Sequence, residues 1–363
     1  MQVMSLNFQS RLLDWFKMHA RPLPWRKAYH PYEVWISEIM LQQTQVETML
    51  PYFDRWMDAF PDVAALAAAD EKKVLKLWQG LGYYSRARNL HRNAKWIMAE
   101  LSGRFPEDFE TILSLKGVGR YTAGAIASIA FNEPRPIVDG NVLRVLSRLY
   151  AIKEPIDVPR HRERFWKLEE RLIPDGEARA FNQALMELGA LLCTAREPAC
   201  LVCPVNRFCK AYKTNRADQF PVRANKKKTV KVEAGAIVLS RSGRYLIHKR
   251  PLGKIMGGLW EFPEWKLAEG RSLSPNEVKT RVLKHVREEM DLPVRELRYL
   301  ETIKRNYTRY SESLRVFMVE LPGTRTFEQV RVPGMDWPSV WASKADFRKY
   351  PFSSAHAKIT ELL

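Results

Sequence analysis

Four cysteines, all that the 363-residue chain contains, fall in one short stretch as Cys193-x6-Cys200-x2-Cys203-x5-Cys209. Scattered structural cysteines would not cluster in this way, and thiolates on a compact loop ligate metal. Zinc sites usually pair short Cys-x2–4-Cys knuckles across a longer gap, whereas four cysteines can also hold an iron–sulfur cube; the spacing leaves both open. Two carboxyl side chains stand in contrasting local settings. Glu38 has Val34, Trp35 and Leu41 at i−4, i−3 and i+3 of a helical pattern, and an apolar setting raises a carboxyl pKa by desolvation. Asp139 directly precedes "GNVLRVLSRLY". As a helix N-cap it would accept backbone N–H bonds and feel the positive helix end, and both favour its anion. One group is set to keep a proton and the other a charge at the same pH, the arrangement on which acid–anion chemistry depends. A third feature is the turn in "SLKGVGRYTAGAI". Gly117-Val118-Gly119 between two helical stretches leaves amides at a helix start free for a phosphate, with no side chain in the way, and Val118 would pin the turn to the core.

The elements that must position these groups follow from periodicity. Residues 1–213 read as nearly all helix. In "PYEVWISEIMLQQTQVETML" the apolar Val34, Trp35, Ile39, Val46 and Leu50 recur at helical spacing, and Pro31 suits a first turn. Residues 70–98 read as two helices broken at Gly80 and Gly82, and no strand pattern occurs in this half. A basic stretch, 214–229, with Arg223, Lys226, Lys227 and Lys228, reads as a linker. Beyond it, residues 230–363 read as α/β: "EAGAIVLS", "YLIHKR", "SLRVFMVEL" and "SVWAS" as strands, and one helix with Ser274 as cap, Pro275 in its first position and Glu277 completing a capping box. Val278, Val282 and Val286 mark the buried stripe of that helix.

The totals bound the partners. The length suits two or three domains, and a formal net charge of +18 with pI near 9.8 points to a polyanion, nucleic acid above all. No apolar run approaches the ~18 residues of a membrane span, and the N-terminus lacks the apolar block of a secretory signal. The expectation is a monomeric cytoplasmic protein associated with the nucleoid. In such a reducing compartment clustered cysteines mean metal rather than disulfides.

Taken together, "LKGVGRYTAGAI", "PIVDGNV" and the cysteine pattern resemble the iron–sulfur helix-hairpin-helix DNA glycosylases, with Asp139 as the acid that closes the Gly/Pro-rich loop. "PWR", "SEIMLQQTQV" and "GLGYYSRARNL" look like the MutY adenine glycosylases, which remove adenine mispaired with 8-oxoguanine. The resemblance implies an N-terminal all-α helix-hairpin-helix glycosylase fold with an iron–sulfur cluster loop, and one [4Fe-4S] cluster on Cys193, Cys200, Cys203 and Cys209. In the related endonuclease III branch a lysine attacks the sugar at the position held here by Tyr121; a phenol cannot form an imine, so the resemblance implies a monofunctional glycosylase acting on duplex DNA. Glu38 matches the general acid and Asp139 the second catalytic carboxylate; Tyr121 and Asn141 match residues supporting that step. Trp25, Arg26 and Gln183 match the adenine pocket. Gln43 and Tyr83 match wedge residues that fill the gap left by a flipped base, Thr44 and Leu81 contacts around 8-oxoguanine, and Gly117 and Gly119 the phosphate-binding turn.

The C-terminal α/β domain is similar to the Nudix-like domain of the same family. Of the acids that hold magnesium in Nudix hydrolases, Glu288 and Glu289 are present, while Asn276 replaces the first box glutamate and Lys284-His285 replaces an Arg-Glu pair. The expectation is a scaffold for reading 8-oxoguanine without pyrophosphatase activity. The loop that commonly reads Phe-Ser-His is here Tyr310-Ser311-Glu312, with Ser311 able to bond a purine edge and Glu312 in place of a histidine beside DNA. Two alternatives remain at this point: an endonuclease III-type pyrimidine glycosylase/lyase, and a non-catalytic DNA-binding relative.

Overall fold

In the computed structural model the described residues are 2–224, 229–251, 253, 256–307, 309–322 and 338–363. They form two compact units, residues 1–69 with 89–226, and residues 70–88 with 227–363.

The first unit is helical, and no strand occurs among its described residues. Its helices are α1 (Gln2–His19), α2 (Pro31–Leu41), α3 (Val46–Ala59) and α4 (Val63–Ala68). After α5 (Glu71–Leu77), which belongs to the second unit, α6 (Ser85–Glu100) begins in that unit and ends in the first. There follow α7 (Phe109–Ser114), α8 (Arg120–Phe131), α9 (Gly140–Tyr150), α10 (Pro159–Glu170), α11 (Ala178–Leu191) and the short α12 (Lys210–Lys213). Helix α2 is apolar almost all round and is buried from Tyr32 to Met40 apart from Glu33, as a helix without a polar face must be. It packs on α8, which with α9 also packs on α11. The core beneath α9 and α11 includes Leu146, Phe165, Phe181 and Leu185, none exposed by more than a trace.

In the second unit the strands are β1 (Val230–Arg241), β2 (Arg244–Lys249), β3 (Trp260–Glu261), β4 (Glu264–Glu269), β5 (Arg298–Tyr307), β6 (Tyr310–Glu320) and β7 (Ser339–Ser343), with helices α13 (Pro275–Glu288) and α14 (Ser354–Glu361). They build one mixed sheet in the order β3-β2-β1-β6-β5, with β4 on β1 and β7 on β2. Strands β1 and β6 run parallel; β5 and β6 form an antiparallel hairpin in which Arg305 faces Glu312 and Asn306 faces Ser311. Side chains alternate between faces, so each sheet face has its own core. Ile237, Leu239 and Phe317 pack with Val278, Val282 and Val286 of α13 on one face. Ala236, Val238, Leu314 and Val316 pack with Phe262, Phe352 and Ile359 on the other. The capping box expected for α13 is present, Ser274 with Glu277.

Two stretches depart from the division drawn on the sequence. Residues 70–88 pack with the C-terminal half, although they lie within the helical half of the chain. Lys76 Nζ donates to the Tyr350 carbonyl at 3.2 Å and Tyr84 Oη to the Phe352 carbonyl at 2.8 Å. Of the basic stretch 214–229, residues 214–224 are held on the first unit rather than strung out as a linker: Ile156 N donates to the Val222 carbonyl at 3.0 Å and Ala224 N to Asp157 at 2.8 Å. Residues 225–228 lie outside the described residues.

Candidate active site

A cavity of about 510 Å³ opens in the first unit, and Glu38, Tyr121, Asp139 and Asn141 all line it, together with Trp25, Arg26, Thr44 and Gln183. Helix α2 brings Glu38 in, 4 % exposed. Helix α8 brings Tyr121, whose hydroxyl donates to Glu38 Oε2 at 3.0 Å. Burial pushes the Glu38 carboxyl up to about 7; the Tyr121 hydrogen bond opposes the rise and the nearby Asp139 charge adds to it. Burial, then the Glu38 and Asp139 carboxylates, hold the Tyr121 phenol well above its ordinary range, so it stays a donor.

Asp139 caps α9 as the sequence indicates, accepting from Val142 N at 2.7 Å, and its second oxygen accepts from Asn141 Nδ2 at 2.9 Å. The anion is not favoured at Asp139 as its cap position alone implies. The cap and Asn141 lower the Asp139 pKa, but burial outweighs them and the net displacement is upward. Asp139 nonetheless has two donors and a helix N-terminus to hold a charge, where Glu38 has one donor. When the two compete, the charge belongs on Asp139 and the proton on Glu38.

The other wall is a hydrogen-bonded set. Arg26 Nε donates to Gln183 Oε1 at 2.9 Å, and Arg26 Nη2 donates to Glu187 Oε2 at 3.1 Å. Arg21 grips Glu187 through Nε at 2.8 Å and Nη2 at 3.0 Å. Burial opposes the Glu187 charge, but these two arginines bring its pKa down to about 2. Glu187 was missed from the sequence. Its position four residues after Gln183 on one helix face was the available signal. Trp25, 3 % exposed, meets Phe53 edge to face at 5.2 Å. Together these give a concave site lined by both polar and apolar side chains, its volume within the range of small-molecule pockets.

Around the cavity, Gln43 is exposed just past the end of α2 with φ +61°, a left-handed backbone uncommon for a residue with a side chain. The turn at Gly117–Gly119 is clamped from α6, where Asn93 bonds both the N–H and the carbonyl of Lys116. Gly117 has φ +80° and a Cβ there would lie 2.4 Å from Asn89 Nδ2, so glycine is needed. Gly119 caps α8 with no side-chain bond to its first amides, and Val118 is 8 % exposed, in the core as expected.

The four cysteines surround a small cavity beside Arg148. Burial pushes the Cys203 thiol up to about 12, with the other thiolates adding to it, and raises Cys200 and Cys209 also. Such crowding is relieved by a positive metal centre. Four free thiols facing one cavity are a donor set that fits a metal centre held by cysteines alone. Arg148, 2 % exposed, donates to Cys193 Sγ at 3.3 Å and to the Thr194 carbonyl at 2.6 Å. One turn earlier Arg144 donates to Cys193 O, Gly189 O and Asn141 Oδ1 at 2.7, 2.7 and 2.8 Å. One face of α9 therefore joins the active-site end to the cysteine loop.

The remaining expected site residues belong to the second unit. Leu81 is 7 % exposed; Tyr83 is 43 % exposed with φ +46°. Their turn is held by Arg86 Nη2 on the Leu81 carbonyl at 2.8 Å and by Trp78 Nε1 on the Gly82 carbonyl at 3.0 Å. Ser311 is the second residue of β6 and is half-buried, whereas Glu312 is 4 % exposed and paired with Arg305, so it is not the surface group anticipated at that position. Of the Nudix-type acids, Glu289 accepts from Trp265 Nε1 at 2.8 Å and lies 2.6 Å from His285 Nδ1, and Glu288 lies 3.9 Å from Lys284 Nζ.

Residues 36–170 match the HhH-GPD superfamily of base excision DNA repair proteins, and residues 234–362 match the NUDIX domain. The fold agrees: a solved thermostable thymine-DNA glycosylase superposes with a TM-score of 0.54 at 28 % identity, over 59 % of this chain and 98 % of that one. The chain is thus a base-excision repair protein with a helix-hairpin-helix glycosylase region and a Nudix-like domain. Two relatives narrow the class. The adenine DNA glycosylase of Rattus norvegicus is 34 % identical over 97 % of this chain and 77 % of its own length. That of Arabidopsis thaliana is 42 % identical over 71 % of this chain, which spans about half (47 %) of the plant protein. The chain belongs to the adenine DNA glycosylase family and, with it, to the DNA N-glycosylases.

Proposed function

We propose that the protein is a monofunctional glycosylase that excises adenine mispaired with 8-oxoguanine, or with guanine, from duplex DNA. The observation that carries this reading is the Glu38–Tyr121–Asp139 set in one cavity, with a phenol where a lyase needs an amine. The adenosine must leave the stack to enter the cavity, and Gln43 and Tyr83 are the residues to hold the gap. In the pocket Trp25, Arg26 and Gln183 engage the base. Glu38 gives its proton to a purine ring nitrogen. The N-glycosidic bond breaks, and its electron pair leaves with adenine as a neutral molecule. The cationic sugar carbon is met by the Asp139 carboxylate, as a contact or a transient ester, with Asn141 and Tyr121 keeping that geometry. Water then adds to the same carbon, and its proton restores Glu38.

The turn at Gly117 and Gly119 is assigned to a backbone phosphate, and Thr44, Leu81 and Ser311 to the 8-oxoguanine strand. Cys193, Cys200, Cys203 and Cys209 would hold a [4Fe-4S] cluster, whose contribution is to fix the loop against Arg144 and Arg148 of α9. The test is incubation with duplexes carrying adenine opposite 8-oxoguanine, guanine or thymine, scored as alkali-labile sites. Cleavage opposite 8-oxoguanine and guanine, but not thymine, is expected, with no borohydride-trapped imine on abasic DNA. Inertness toward every adenine mispair, or an efficiently trapped imine, overturns the reading.

A further inference from the structure

We propose that Glu312 is a positioning residue for Ser311: a buried chain of ion pairs, Glu312–Arg305–Glu264, fixes the strand that presents Ser311 to the lesion. This rests on the assignment of Ser311 above and deepens it.

Ser311 and Phe317 share the α13 face of β6, while Glu312, Leu314 and Val316 share the other. Two neighbours on opposite faces cannot contact one base edge together. Glu312 faces Arg305 directly across the β5–β6 hairpin, and the pair is bidentate, Nε to Oε2 and Nη2 to Oε1, both at 2.9 Å. The same Nη2 reaches Glu264 Oε2 at 3.0 Å on β4. Glu264 is also bonded by Arg250 and by His356 Nε2, the latter at 3.0 Å. His356 Nδ1 accepts from the Phe262 backbone N–H at 3.1 Å, which leaves the ring proton on Nε2, toward Glu264. Burial works against the Glu264 charge, yet His356, Arg305 and Arg250 hold its carboxyl well below the usual range.

The chain therefore runs from the residue beside Ser311 through β5 and β4 to α14, with Glu312 and His356 buried and Glu264 mostly so. Glu261, Glu264 and His356 also lie close enough together to suggest a cation seat. The guanidinium of Arg250 already bridges Glu261 and Glu264, and the His356 lone pair is spent on Phe262, so the cluster is a strut. A buried bidentate pair is weak as a source of stability and strong as a means of fixing geometry. Register slip at the β5–β6 hairpin would turn Ser311 to the wrong face, and a charged cross-strand pair one residue away forbids it.

The experiment compares wild type, Ser311→Ala, Glu312→Gln, the double variant of those two, and a Glu312→Leu/Arg305→Met variant that replaces the pair by apolar side chains of similar volume and so keeps the fold. Each is measured for affinity to duplexes with a non-cleavable adenosine analogue opposite 8-oxoguanine or guanine, and for single-turnover excision at saturating enzyme. Glu312→Gln and the apolar pair are expected to lower the affinity preference for 8-oxoguanine about as far as Ser311→Ala does, roughly tenfold, with the excision rate within about twofold of wild type. Combining Ser311→Ala with Glu312→Gln is expected to add nothing further, because both act through one contact. If Ser311→Ala loses the preference while both Glu312 variants retain it, or if the double variant is additive, the strut is wrong and the assignment of Ser311 survives. If Ser311→Ala retains the preference, the assignment itself fails and takes the strut with it.

Discussion

At the residue scale the site turns on which carboxyl keeps its proton. The apolar surroundings of Glu38 were legible from its helix neighbours, because desolvation by Val34 and Trp35 is a local effect. The balance at Asp139 was not legible: its cap bond is local, but the burial that outweighs it belongs to a cavity whose walls also include Glu38, Gln183 and Met186, each more than 40 residues away in sequence. With Glu38 raised from an ordinary 4.5 to about 7 by burial, the protonated acid is lost as pH climbs through neutrality. The single-turnover rate is expected to be level below about pH 6.5 and to fall about tenfold per pH unit above pH 7.5. Stability carries the same signature. Between pH 4.5 and 7 the folded chain holds a proton that the unfolded chain has released, so stability falls with rising pH across that window and is level above it. The rise from 4.5 to about 7 corresponds to about 3 kcal/mol. Glu38→Gln cannot ionise. It is expected to slow excision at least a hundredfold at pH 7 and, relative to wild type, to gain up to about 3 kcal/mol in denaturant unfolding between pH 5 and pH 8. Parallel stability curves for the two proteins would mean that Glu38 is charged throughout.

At the element scale, helices with local punctuation were the readable ones. Asp139 before α9, Ser274-Pro275 before α13 and the glycine break between α5 and α6 all stand where the sequence puts them. Strand β5 was not foreseen, since "RYLETIKRNY" does not alternate cleanly and its pairing with β6 shifts register at Tyr299 and Glu301. The role of α9 as a brace was also hidden. Asn141, Arg144 and Arg148 share a face, but the acceptors that the two arginines find include carbonyls and a sulfur within residues 189–220. Close approach of α11 depends on Gly189, where a Cβ would sit 2.6 Å from Asn141 Cβ. Arg144→Met leaves the Cys193 and Gly189 carbonyls and Asn141 Oδ1 without this donor. It is expected to lower stability by about 2–3 kcal/mol, to slow excision about tenfold or more by freeing Asn141, and to reduce iron content; unfolding midpoints, single-turnover rates and metal analysis check this. Unchanged values in all three would show that the brace is idle. With Glu289 engaged by Trp265 and His285, no phosphate release from nucleoside triphosphates is expected in magnesium, and measurable turnover would contradict that.

At the scale of the whole chain, composition identified a polyanionic partner but not how the chain is partitioned, because net charge speaks to association and not to fold. The boundary drawn at a lysine-rich stretch treated the helical half as self-contained. Packing assigns residues 70–88, with the wedge candidate Tyr83, to the unit that also holds Ser311. No pattern within 70–88 could announce this, since its anchors, Tyr350 O and Phe352 O, lie more than 250 residues further on. A chain ended at residue 224 therefore removes the partners of its own segment 70–88. In that truncated protein amide exchange across 70–88 is expected to accelerate at least tenfold, while α2 and α9, which pack within the first unit, stay protected. Excision of adenine opposite 8-oxoguanine is expected to lose affinity more than rate, because Glu38 and Asp139 stay in place while Tyr83 loses its support. Hydrogen exchange at peptide resolution on both proteins decides it. Equal protection of 70–88 with and without residues 225–363 would return that segment to the helical half and leave the boundary where the lysines put it.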